Sequence, residues 1–276
     1  MSAPSAFDLD MIGGARALNS LIDEVLLAGD DALALYRATT RQRLHFKPDR
    51  SPVTEADHAV EARIGGYIAR HYPEAGFLGE ESGSRGKDGG LRFIVDPIDG
   101  TRAFVRRLPT WSILVGLESA GEPVLGIAYQ PAQEQLFVAV KGQGAYGNGR
   151  PLRVSAVANA GEATIAQGSL GQFTDAGCGQ WLTILATQTH SQRGLHDFEG
   201  YRALLMGAVD AMVDPGSQPW DLCAPAVLVR EAGGTLTAFD GADTVHSGGA
   251  LASNGLVHNT LLGLLGRESA LDPDGR

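Results

Sequence analysis

Two acids, Asp96 and Asp99, stand three residues apart in the run Asp96-Pro97-Ile98-Asp99-Gly100-Thr101, directly after the apolar stretch 91–95. A strand ending at this point could aim both carboxylates at one spot. Pro97 restricts Asp96 to an extended conformation, and Gly100 relieves the chain where it must turn tightly. Backbone N–H groups at the start of the next element would then offer an anion site. Taken alone, an Asp-rich turn closing a strand explains the same residues. Glu80-Glu81, after the apolar stretch Gly76–Gly79, also reads as a solvated turn. Asp221, which follows Trp220 at the head of an Ala- and Leu-rich run, reads by itself as a helix cap.

Carboxylates about 5 Å apart repel by about 3 kcal/mol per pair at an effective dielectric near ~20. A cation would remove that penalty if such acids were brought together. The composition leaves room for one. The 276 residues carry 32 acids against 22 Lys and Arg, for a net charge of −10, and include 37 glycines. This length suits about two domains and a core that needs no disulfide or structural metal. The lysines are only Lys47, Lys87 and Lys141. That is too little clustered positive charge for nucleic acid to be the main partner. The acid excess is either a solubility device or a cation site. Cys178 and Cys223 form neither a disulfide framework nor a zinc cluster. No apolar run approaches ~18 residues, so no transmembrane helix is expected. Asp8 and Asp10 stand where a signal peptide would be basic, and the expected compartment is the cytoplasm.

The elements that must carry these residues are legible as periodicities. Leu18, Leu21, Ile22, Val25 and Leu26 predict a helix over 15–40. A second helix starts at Thr54, an N-cap with Asp57 at N3, and Pro73 ends it. Short buried strands over 76–80 and 91–95 are joined by a glycine- and charge-rich loop over 82–90. A meander follows over 112–117, 124–129 and 135–140, and Gly142, Gly144, Gly147 and Gly149 close this half in a loop. Arg150-Pro151 marks a boundary between an N-terminal α+β domain over 1–150, with an antiparallel sheet and most candidate ligands, and a C-terminal α/β domain over 151–276. In the second half, strands over 163–167, 211–213, 235–238 and 250–252 alternate with helices over 180–187, 198–209, 222–232 and 256–265. That alternation predicts a mostly parallel sheet.

Gly79-Glu80-Glu81-Ser82, Asp96-Pro97-Ile98-Asp99-Gly100-Thr101 and Trp220-Asp221, with Glu231-Ala232-Gly233-Gly234 behind it, resemble in order the signature of the inositol monophosphatase superfamily. Thr54-Glu55-Ala56-Asp57 is similar to its N-terminal motif, and the likeness runs from about Lys47 to Leu265. The resemblance implies a layered αβαβα sandwich of the inositol monophosphatase and fructose-1,6-bisphosphatase type, a homodimer, and a Mg²⁺-dependent phosphate monoesterase inhibited by Li⁺. It further implies that Glu80, Asp96, Asp99, Asp221 and the carbonyl of Ile98 hold about two or three metal ions, with Glu80 also catalytic. Thr101 and Asp57 would orient the attacking water, and the amides of Gly100 and Thr101 would hold phosphate. Lys47 matches a basic position in the family's first loop. Gly79 and Gly100 fall where backbone would approach phosphate or metal.

The segment Arg193-Gly194-Leu195-His196-Asp197-Phe198-Glu199-Gly200-Tyr201 looks most like the histidinol-phosphate phosphatase branch, and Val213-Asp214-Pro215 also suits that branch. His196 and Arg107 depart from it, standing where a small residue and a glycine are usual. Histidinol phosphate carries an ammonium and an imidazole, so its pocket needs acids. Asp197, Glu199 and Asp214 are the candidates, with Arg193 as a further substrate contact. Asp197 as a helix cap and Glu199 as a solvent-facing residue remain the alternative. The reading is a histidinol-phosphate phosphatase of histidine biosynthesis, acting on a small phosphate monoester. An inositol-1-monophosphatase or broader sugar-phosphate phosphatase is second. A non-catalytic binding protein comes third, and the full set of acids with Thr101 speaks against it.

Overall fold

The computed structural model describes residues 5–38, 45–46, 52–86 and 89–266. Lys47 lies outside the described residues. Helices α1 (Gly14–Arg37) and α2 (Glu55–His71) are apolar on one side, and Leu18, Leu21 and Val25 of the first and Val60, Ile64 and Ile68 of the second are buried in one core. They cover one face of an eight-stranded sheet. After the two-residue strands β1 (His45–Phe46) and β2 (Pro52–Val53), which pair with each other, this sheet is built from eight strands in chain order. They are β3 (Gly76–Gly79), β4 (Gly83–Arg85), β5 (Leu91–Asp99), β6 (Ser112–Ser119), β7 (Glu122–Gln130), β8 (Gln135–Val140), β9 (Ala145–Gly147) and β10 (Arg150–Pro151). The spatial order is β10-β9-β8-β7-β6-β5-β3-β4. The meander forms as expected, and β3 lies parallel to β5.

Two stretches expected as loops are strands instead. β4 pairs antiparallel with β3 at the sheet edge, where the Arg85 guanidinium sits 4.0 Å over the Phe77 ring and gives a polar strand something to pack on. β9 and β10 form a hairpin across Asn148-Gly149, both at positive φ, the pair that a tight hairpin turn favours.

The second sheet contains β11 (Thr164–Gln167), β12 (Ser191–Arg193), β13 (Ala211–Pro215), β14 (Thr235–Thr237) and β15 (Gly249–Ser253), in the order β12-β11-β13-β15-β14. It is mixed rather than mostly parallel. β11 runs parallel to β12 and β13, whereas β15 is antiparallel to both β13 and β14. The chain passes from β14 to β15 without a crossover helix, and neighbours joined that way must run antiparallel.

Helices α6 (Phe198–Leu205) and α7 (Pro219–Glu231) fill the space between the sheets. Beyond the second sheet lie α4 (Leu170–Asp175), α5 (Gln180–Gln188) and α8 (His258–Gly266), while the short α3 (Thr101–Val105) leads away from β5. The result is an αβαβα sandwich. No helix among the described residues is long and apolar enough to cross a membrane.

Helix α7 is apolar all round because both sheets cover it, and Leu222, Cys223, Ala224 and Leu228 are fully buried. It lies almost directly on strand backbone. Gly116 and Gly126 are cross-strand partners on β6 and β7; a Cβ on Gly116 would come 2.4 Å from Cys223 Sγ, and one on Gly126 would come 2.4 Å from the Ala224 carbonyl oxygen. This close approach sets the height of the helix, and so of Asp221 in its first turn. Gly126→Ala is therefore expected to cost about 2 kcal/mol and to displace the first turn of α7. Thermal melts check the cost, and an unchanged melting temperature would refute the close-contact account.

Candidate active site

On a regular strand, residues three apart face opposite sides. The pairing of β5 with β6 shifts register between Asp96 and Asp99, where Pro97 has no N–H to give. The irregularity corrects the parity. Asp96, Asp99 and Asp221 each offer a carboxylate oxygen, and these oxygens all lie within 4.8 Å of one another. Asp221 arrives as residue N3 of α7, its Oδ2 accepting the Gln218 N–H at 2.7 Å. Asp96 and Asp99 are buried, and Asp96 Oδ1 has no hydrogen-bond donor among the described residues.

Burial, with the charges of Glu80, Asp99 and Asp221 added, pushes Asp96 well above the carboxylate range. Burial and the Asp197 and Asp221 charges do the same to Asp99, although the Phe198 N–H at 2.8 Å opposes them. Asp221 rises to about 7, chiefly by burial. Three convergent hard-oxygen donors, one with an unengaged buried oxygen and all reluctant to ionise unaided, fit a divalent cation.

Glu80 follows β3, whose Gly79 is the parallel neighbour of Val95 on β5, so the C-terminal ends of the two strands abut and Glu80 lines the same cleft. The turn after it is held by a residue not anticipated from sequence. The buried Glu61 of α2 accepts the Glu81 N–H at 2.8 Å and the Ser82 N–H at 2.9 Å. Gly79 also makes room for this contact, because a Cβ there would meet the Glu61 carboxylate at 2.5 Å. Glu61 sits four residues after Asp57 and so on the same helix face, the one sequence signal that pointed to it.

Asp57 closes the capping box of α2. Its Oδ2 accepts from the Thr54 N–H at 2.7 Å and from the Thr54 hydroxyl at 2.6 Å, and Thr101 Oγ1 lies 3.4 Å from its Oδ1. Burial raises Asp57 to about 6 against the two Thr54 bonds. The Thr101 hydroxyl is also 3.1 Å from the Ile98 carbonyl. Gly100 adopts φ 81°, which glycine tolerates, and a Cβ there would come 2.9 Å from Asp197 Oδ2.

The cleft is lined by Glu80, Asp96, Ile98, Asp99, Gly100, Thr101 and Asp221 together with Asp197 and Asp214. Arg102, Gln172, Tyr201 and Ser217 also line it and were not anticipated. Asp214 accepts from the Tyr201 hydroxyl at 3.0 Å, and burial raises it to about 6.

Arg193 and Glu199 do not line the cleft. Arg193 is exposed on the edge strand β12 and donates to the Gln192 carbonyl. Glu199 is buried rather than solvent-facing, held by Arg202, Gln130 and Gln133, and burial is outweighed there by Arg202 so that its pKa is lowered. Two residues beyond Asp197, it projects from another side of α6. Arg107 has φ 63°, which explains why glycine suits that position, and its guanidinium binds the Tyr36 and Ala38 carbonyls at the end of α1.

The site thus combines a cation-ready acid cluster, a hydroxyl backed by a proton-accepting carboxylate, and two further acids facing the same space. The chain is 40% identical over 253 residues to a histidinol-phosphatase of Mycobacterium tuberculosis, covering 90% of this chain and 95% of that one. It is 30% identical to an inositol-1-monophosphatase of Mesorhizobium japonicum, covering 89% of this chain and 94% of that one. Among solved structures, a Thermotoga maritima IMPase superposes with a TM-score of 0.81 at 29% identity, covering 92% of this chain and 98% of that one. Because the model of the inositol monophosphatase family also matches residues 24–269, a span that takes in every acid of the cleft, the chain belongs to that family.

Proposed function

We propose that the protein is a Mg²⁺-dependent phosphatase that hydrolyses L-histidinol phosphate to L-histidinol and phosphate. The observation that carries the substrate choice is the presence of Asp197 and Asp214 in the cleft, two acids that the metal cluster does not use. A leaving group with an ammonium and an imidazole gives both a partner. The name borne by the Mycobacterium tuberculosis relative supports the same reading.

Glu80, Asp96, Asp99, Asp221 and the Ile98 carbonyl would hold Mg²⁺, which when bound supplies charge stabilisation at the phosphoryl oxygens and a more acidic water. The Ile98 carbonyl has a second lone pair beyond the one facing Thr101. Thr101 takes the proton of the attacking water as it passes its own to Asp57 Oδ1. With a pKa of about 6, Asp57 can hold that proton near neutrality. Thr54 fixes the Asp57 carboxylate so that Oδ1 faces Thr101. The amides of Gly100 and Thr101, in the turn that opens α3, bind the phosphate.

A second reading, an inositol-1-monophosphatase or broader sugar-phosphate phosphatase, draws on the neutral polar groups of the cleft, Gln172, Tyr201 and Ser217. Steady-state kinetics with Mg²⁺ separate the two. A kcat/KM for histidinol phosphate at least about tenfold above that for inositol 1-phosphate is expected, equivalent to about 1.4 kcal/mol. A tenfold preference for the polyol ester overturns the assignment, and failure to hydrolyse any monoester would favour a binding role.

A further inference from the structure

Asp197 occupies the N-cap position of α6 without capping it. Its side chain bonds none of the helix's first amides, and the Phe198 N–H goes to Asp99. Its backbone, at φ 57° and ψ −155°, lies at the edge of a region that is nearly restricted to glycine. A residue with a Cβ is strained there, and such strain persists only where surrounding contacts over-determine it.

The backbone is held by the Phe198 N–H on Asp99 and the Gly200 N–H on the Asp197 carbonyl, and a local contact fixes the side chain. His196 Nδ1 lies 2.6 Å from Asp197 Oδ2, and because a carboxylate can only accept, the ring donates Nδ1–H. His196 is the one side chain among the described residues that hydrogen-bonds this carboxylate. The same oxygen hangs over Gly100, whose missing Cβ makes room for it. Without His196 no side chain among the described residues hydrogen-bonds the carboxylate, and it is free to rotate away from Gly100. That rotation would take the charge out of the cleft.

We propose that His196 is a positioning residue: its Nδ1–H holds the Asp197 carboxylate facing the cleft and thereby sets the preference for phosphate monoesters with a cationic leaving group. The proposal rests on the reading of Asp197 as the partner of that cationic group.

The test compares the wild type with His196→Ala, His196→Asn, Asp197→Asn and the His196→Ala/Asp197→Asn double variant, each with Mg²⁺, on histidinol phosphate and inositol 1-phosphate. His196→Ala should lower the ratio of the two kcat/KM values about tenfold, mainly through the KM for histidinol phosphate. Asparagine places an amide N–H near the Nδ1 position, so His196→Asn should restore most of the ratio. It also carries the test if the alanine variant melts below the assay temperature. The double variant should lose no more than Asp197→Asn alone, as for two residues acting through one contact.

Equal losses on both substrates would mark a merely structural role and overturn the proposal. So would an unchanged ratio in His196→Ala, or an unrescued one in His196→Asn, while Asp197→Asn lowers it. An unchanged ratio in Asp197→Asn itself removes the underlying reading of Asp197, and the proposal falls with it.

Discussion

Asp96→Asn should lower kcat/KM by about 10³-fold or more and at the same time raise the melting temperature of the metal-free protein at pH 8. Both outcomes come from one carboxylate. Asp96 is buried, its Oδ1 lacks a donor among the described residues, and the charged groups that raise it, Glu80, Asp99 and Asp221, are all acids. As the metal ligand proposed above it would contribute several kcal/mol to stabilising the charge that develops in the transition state, and each ~1.4 kcal/mol lost is a factor of ten in rate. Without metal it is a burden on the fold. Asparagine keeps the shape and removes the charge, so the apo protein should gain on the order of 1 kcal/mol, a rise of about 2–4 °C. Near-wild-type turnover would refute the metal role. An apo melting temperature that fell would show that the cluster is stabilised by something other than a cation.

The second large effect is a pH dependence that reverses the usual sign for carboxylates. Burial raises Asp57 and Asp214 from 3.8 to about 6 and Asp221 to about 7. Between about pH 4 and pH 7 the folded chain therefore holds more protons than the unfolded one. Stability falls as pH rises wherever the native state binds the extra protons. For Asp214 alone the difference is about 3 kcal/mol at pH 8, at about 1.4 kcal/mol per pH unit. Metal-free protein should melt lower at pH 8 than at pH 5.5. Mg²⁺ needs the ionised ligands, so the rise it produces should be small at pH 5.5 and largest at pH 8. Thermal scans across this range check both statements. An apo melting temperature that climbed with pH, or an Mg²⁺ effect independent of pH, would contradict them.

What the chain reveals about itself depends on how local the cause is. Asp96 and Asp99, the Thr54–Asp57 box and the three-stranded meander were legible because spacing, capping and alternation act within a few residues. The Asn148-Gly149 turn was also written in the chain, but four glycines close together read as a loop. Glu61 reaches amides twenty and twenty-one residues away, and only its place one turn beyond Asp57 hinted at it. The glycines at 116 and 126 say nothing until α7 is laid on them. The strands β4 and β12 have too few apolar residues to show a period. The segment 193–201 marked the right neighbourhood. Sorting Asp197 from Glu199 required knowing where α6 begins and which way each residue then projects.

Helix α2 carries a consequence beyond chemistry. Through Asp57 it reaches Thr101, at the start of α3, and through Glu61, one turn further on, it grips the backbone after Glu80. The turn after β3 and the first residue of α3 are thereby fastened to a single rod. They belong to one cooperative unit, and the free energy of opening either is tied to the free energy of opening both. On the proposed reading, a fluctuation that loosened the segment that orients water would also loosen the segment that carries Glu80, and states in which a metal is held without a positioned nucleophile should be sparsely populated.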